Sequence, residues 1–126
     1  AYQAQGFCGS ICAVMQARQT LVYGGLYRSG ADGALEAVVP DQLLEREELA
    51  ALLQAQQQPV LLVGDAAAAF QTAFPELSLQ LAPAPVRLQN GCGICLAARY
   101  ETGITPDQLE AAYLQPVKAE KDRMQK

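Results

Sequence analysis

The stretch Ile11–Gln16 (ICAVMQ), Ala17-Arg18-Gln19, Thr20–Arg28 (TLVYGGLYR) decides the fold. Both outer runs are apolar and carry β-branched and aromatic residues, which suit the half-buried surface of a pleated strand. The polar link between them is short, so the spacing predicts an antiparallel hairpin. Ser29-Gly30-Ala31-Asp32-Gly33 then gathers residue types that tolerate tight turns, and Ala34–Val39 (ALEAVV) resumes a strand-like pattern. Three antiparallel strands in a meander are expected.

Working outward, Pro40 fits the first turn of a helix, where its missing N–H is not needed. Leu43, Leu44, Leu49, Leu52 and Leu53 supply an apolar stripe opposite Glu45, Arg46, Glu48 and Gln54, and Gln56-Gln57-Gln58-Pro59 ends that helix. Val60–Val63 (VLLV) is a continuous apolar run closed by Gly64-Asp65, the pattern of a strand buried on both faces. Ala66–Phe74 is alanine-rich and helical up to Pro75, and Leu77, Leu79 and Leu81 alternate with Ser78 and Gln80 as in a half-buried strand. From Val86 to Tyr100 a last helix is expected, with Gly103 as its C-cap, although Asn90-Gly91 and Gly93 weaken it. The order β, β, β, α, β, α, β, α implies an α/β fold: a mixed five-stranded sheet covered by helices, the ribonuclease H-like arrangement of which an actin-like lobe is one example. Residues 1–10 are expected to be an N-terminal extension or linker, 11–116 the single lobe, and 117–126 a charged tail.

The 126 residues are 51% hydrophobic and 17% charged, enough for one compact domain that needs neither disulfides nor a metal to hold its core. A formal charge of −4 gives no broad positive field for a nucleic-acid backbone, so direct binding of nucleic acid is not expected. Histidine is absent, which removes Ser-His and Cys-His nucleophile pairs and every imidazole zinc site. No apolar stretch approaches the roughly 18 residues that span a bilayer, and no signal peptide opens the chain, so a cytoplasmic protein is expected. A start at Ala1 without an initiator Met suggests a processed product or a piece of a longer protein.

The cysteines form two close pairs, Cys8/Cys12 in FCGSIC and Cys92/Cys95 in NGCGIC. Four thiolates at short spacings can hold a zinc ion, and Cys92/Cys95 can serve as a redox pair. The plainer reading is buried reduced thiols acting as small apolar groups, because Cys12 falls in a strand pattern and Cys95 in an apolar helix pattern. Nucleotide binding of the actin-like kind needs an Asp-x-Gly turn between the first two strands, and Gln16-Ala17-Arg18 has neither residue. Val63-Gly64-Asp65 reads as a strand-ending turn, and no Gly-rich phosphate cradle exists. Glu47-Glu48 and Asp107/Glu110 read as solvated helix charges. Tyr23 and Tyr27 stand at even spacing on one strand and so share a face, where packing or an interface is the expectation.

At Gln16–Tyr23 (QARQTLVY) and Tyr113–Glu120 (YLQPVKAE) the chain resembles the C-terminal lobe of the TsaB family, also called YeaZ or glycoprotease-like proteins. The family's hairpin is similar to D-A-R-x-G-E-V-Y, matched by Ala17, Arg18, Val22 and Tyr23, whereas Gln16, Thr20 and Leu21 depart. Its C-terminal pattern is similar to Y-L-R-P-S-x-A-E, matched by Tyr113, Leu114, Pro116, Ala119 and Glu120, with Gln115 and Val117 departing. The resemblance covers most of Ile11 to Glu120. It implies a lobe that catalyses nothing itself and belongs to a protein paired with a paralogous actin-like threonylcarbamoyltransferase, which makes threonylcarbamoyladenosine beside the anticodon of certain tRNAs. It also implies that this chain is a C-terminal fragment, since the family's opening strand with its Asp-Thr-Ser-type sequence is absent. No catalytic, cofactor or metal residue is expected, with ATP and magnesium confined to the partner or the full-length assembly. Contact residues are expected at Ala17, Arg18, Tyr23, Tyr27, Tyr113, Leu114, Pro116 and Glu120, toward the transferase or a second copy. Two alternatives stay open: a nucleotide-binding enzyme lobe of the actin-like superfamily, and a metal module on Cys8, Cys12, Cys92 and Cys95.

Overall fold

The structure, a computed structural model, describes residues 1–112 and Leu114. Tyr113, Pro116, Glu120 and the charged segment 117–126 lie outside the described residues. A 3-10 turn over Tyr2–Ala4 precedes β1 (Ser10–Gln16), β2 (Leu21–Ser29), β3 (Leu35–Glu45), α1 (Arg46–Gln54), β4 (Val60–Val63), α2 (Ala67–Ala73), β5 (Leu79–Leu81), α3 (Ala84–Arg87) and α4 (Gly91–Ala98).

The strands form one mixed five-stranded sheet in the order β3-β2-β1-β4-β5. β1 runs antiparallel to β2, with Cys12 opposite Leu26 and Met15 opposite Tyr23, and parallel to β4, with Cys12 opposite Leu62. Because side chains alternate across a strand, this register sorts them onto two faces. Cys12, Val14, Val22, Leu26, Val60 and Leu62 form the first face and are sealed by Leu49 and Leu53 of α1 and Phe70 of α2. Ile11, Leu61 and Val63 form the second face and meet Ala4 from the opening segment and Ala82 after β5. Every residue of β4 is buried, as its unbroken apolar run requires.

Three expectations are corrected. Pro40 does not start a helix: β3 continues through it to Glu45, and α1 begins at Arg46. β3 is an edge strand, and its register slips against β2 around Val39–Gln42, so a residue without an N–H is accommodated there. The helix starts where Glu45 and Glu48 form a reciprocal capping box, with the Glu45 N–H donating to Glu48 Oε2 at 2.9 Å. The single last helix is two, α3 and α4, broken at Leu88–Asn90, where Leu88 is extended and the Asn90 side chain caps α4 by accepting from the Gly93 N–H at 3.2 Å. Gly103 is not the C-cap, because α4 ends at Ala98 with Arg99 in right-handed helical geometry.

The opening residues, expected as an extension or linker, lie against the second face. Gln3 spans the break between α3 and α4: its Nε2 donates to the Leu88 carbonyl at 2.8 Å, and its Oε1 accepts from the Asn90 N–H at 3.0 Å. Tyr2 stacks on Tyr100, ring centroids 5.4 Å apart, and its hydroxyl accepts from the Leu35 N–H. Tyr100 in turn donates to the Asp32 carbonyl at 3.2 Å. α4 is therefore held at both ends, by Gln3 at its start and by Tyr100 just past its finish. Among the described residues, no helix is long and apolar enough to cross a membrane.

Candidate functional site

The second face of the sheet is incompletely covered near the C-terminal ends of β1 and β4. A cavity of about 250 Å³ opens there, lined by Ala13, Met15, Val63, Val86, Ile94 and Ala97 among others, with Arg87 adding positive charge. Met15 is 47% exposed and Ile94 59%, values that mark an apolar surface left without cover. α4 is the source: its sequence GCGICLAA is strongly apolar, yet no residue in it is buried. Such a helix is usually found in a core.

The turns beside the cavity are tied together by their own backbones. The β1–β2 turn is closed by the Leu21 N–H donating to the Arg18 carbonyl at 2.7 Å and the Ala17 N–H donating to the Leu21 carbonyl at 3.2 Å, with Arg18 exposed at its tip. Asp65 Oδ1 accepts from the Gln16 N–H at 3.0 Å, joining the turn after β4 to the end of β1. Gly64 adopts φ +108°, and its N–H donates to the Arg87 carbonyl at 2.7 Å. Val63-Gly64-Asp65 is thus a strand-ending turn whose polar groups have protein partners.

Tyr23 and Tyr27 do share a face, but they are not a bare aromatic patch. Both are half-buried, and the Tyr27 hydroxyl donates a short hydrogen bond to Asp41 Oδ1. Burial, then this bond and the Asp41 charge, push the Tyr27 phenol above the usual tyrosine range. Gly25, between the two tyrosines, is fully covered, and a Cβ there would collide with Asp41 Oδ1 and the Tyr27 hydroxyl. Leu114 is exposed.

The four cysteines differ in their surroundings. Cys12 is buried in the first face, and burial pushes its thiol up to about 12. Cys8, Cys92 and Cys95 are exposed, which corrects the expectation of buried thiols for those three. Among the described residues, no three His, Cys, Asp or Glu side chains gather as a metal site would need. Sequence reasoning passed over Gln3, Asp41 and Ile94. Gln3 and Asp41 act across long sequence separations that leave no local pattern, whereas the glycine-rich, apolar run around Ile94 was visible but read as buried.

Fold and surface define an α/β domain whose mixed sheet is covered on one face and partly open on the other. No protein-family model matches the sequence, and no curated protein matches it. Among solved structures, the chain is similar to one described as a crystal structure of an uncharacterized protein with similarity to peptidase YEAZ from Pseudomonas aeruginosa, at 23% identity and a TM-score of 0.65. The likeness covers 90% of this chain and 52% of that one, so the chain spans about half the length of its neighbour. At that identity the likeness is one of fold, a mixed five-stranded α/β sheet similar to that of the neighbour.

Proposed function

We propose that this chain is a ribonuclease H-like, actin-like lobe of a TsaB-type protein. It acts as a non-catalytic scaffold paired with an actin-like threonylcarbamoyltransferase in the formation of tRNA threonylcarbamoyladenosine. The observation that carries the proposal is the structural likeness over 90% of the chain to a protein described as similar to YEAZ. Two further features support it. The open apolar surface around Met15 and Ile94 suits contact with protein rather than with a charged substrate. The strand-ending turn at Gly64-Asp65, where a phosphate would be cradled in a nucleotide-binding lobe, has its polar groups engaged by Gln16 and Arg87.

The test is reconstitution with the transferase from the same organism, supplied with an activated threonylcarbamoyl donor and unmodified tRNA, reading threonylcarbamoyladenosine in digested tRNA by mass spectrometry. Product is expected when both proteins are present and is expected to fall sharply when this protein is omitted. Equal product without it would overturn the assignment. Product from this protein alone would make it a catalyst instead of a scaffold.

A further inference from the structure

We propose that Cys92 and Cys95 form a redox-active dithiol, closed to an intrahelical disulfide by exchange with a small-molecule disulfide. Both thiols are unbonded and exposed on α4. Three residues apart on one helix, they share a face, and helix geometry sets their Cα atoms about 5 Å apart, inside the range a disulfide accepts. Their Cβ atoms start about 5–6 Å apart and must approach by roughly 1–2 Å. On the Cys92 side of this pair there is room: nothing lies within 4 Å of where a Gly91 Cβ would be, and α4 has no buried residue, whereas Gly93 packs closely against the Gln3 side chain, so the approach falls to the cysteine side chains and the Gly91 end of the turn. Gln3 and Tyr100 fix the two ends, so the adjustment stays local.

Cys12 is sealed in the core and cannot compete, and Cys8 lies on the segment before β1. The exchange runs in two steps. One Cys thiolate attacks a sulfur of the small disulfide and expels one thiolate, leaving a mixed disulfide on the protein. The second Cys thiolate attacks the protein sulfur of that mixed disulfide and expels the other. The two protein thiols lose two electrons in total, and the small disulfide gains them and takes up the two protons, leaving as two thiols. The product alters the exposed apolar surface that carries Ile94.

The test equilibrates the full chain with oxidised and reduced glutathione, quenches with acid and measures intact mass, peptide linkage and fast-reacting thiols. The reduced native chain is expected to show three fast thiols, from Cys8, Cys92 and Cys95, and the oxidised chain one. Peptide mapping is expected to place the link between Cys92 and Cys95, with the mass lowered by two hydrogens. Cys8→Ser is expected to keep the link, and Cys95→Ser to stop at a glutathione adduct on Cys92. A link from Cys8 to either α4 cysteine, persistent adducts on both α4 cysteines of the unsubstituted chain, or disulfide-linked dimers would overturn the proposal.

Discussion

Gly64 stands where the chain turns out of β4 against the backbone of β1, and an added Cβ there would be driven into the Val14 carbonyl. Its φ of +108° also lies in the region that side chains avoid. Gly64→Ala is therefore expected to lower stability by more than about 1 kcal/mol, read as a reduced urea midpoint at unchanged m-value. Cys12 and Tyr27 give the protein an alkaline limit. Below pH 9 the Cys12 thiol is protonated whether the chain is folded or not, so it adds no pH dependence there. Between pH 9 and about 12 the unfolded thiol ionises while the buried one stays neutral, and stability falls as pH rises. Its share approaches about 1.4 kcal/mol per pH unit within that window. Tyr27, also held above its ordinary value, acts in the same direction at higher pH. Thermal unfolding between pH 8 and 11 is expected to show the decline in the unsubstituted protein and a shallower one in Cys12→Ala; equal slopes would contradict this account of Cys12.

At the scale of elements, α1 depends on Leu49 and Leu53, which lie against the first face at 1% and 4% exposure. Leu49→Ala is expected to cost about 2–5 kcal/mol, measured by chemical unfolding. α4 depends instead on its ends. Gln3→Ala removes the hydrogen bonds to the Leu88 carbonyl and from the Asn90 N–H at the α3–α4 break, and faster amide exchange is expected in Gly91–Ile94, with β1 and β4 unaffected. The two helices also show what a sequence reveals. β1, β2 and β4 were legible because apolar, β-branched runs bounded by turns have few other uses. The start of α1 was not, because Pro40 suits both a helix's first turn and an edge strand, and the slipped register that admits it depends on β2. The α3–α4 break was signalled only weakly, by Asn90-Gly91, because apolar residues recur near helical spacing from Leu88 to Tyr100, while Gln3, which bonds to both sides of the break, lies more than eighty residues away. For the same reason α4 read as a core helix, and the exposure of its two thiols was not visible.

For the whole molecule, the decisive feature is asymmetry: one face of the sheet is sealed by α1 and α2, and the other leaves Met15 and Ile94 open beside a cavity. An apolar dye is expected to bind this face, and Met15→Glu with Ile94→Glu to reduce its fluorescence several-fold. Since both side chains are exposed, each change is expected to move stability by no more than about 0.5 kcal/mol. Undiminished dye binding in the double variant would show that the open surface lies elsewhere. Arg18, Tyr23 and Tyr27 were placed correctly on the meander from sequence, but the open surface is built around α4, because it depends on how the N-terminal segment and the last helices share one face. The measurement that bears most directly on the scaffold assignment is a calorimetric titration of the protein, expressed from its complete coding sequence, with the actin-like transferase of the same organism. Saturable one-to-one binding is predicted, and the absence of binding at every concentration the two proteins tolerate would contradict it.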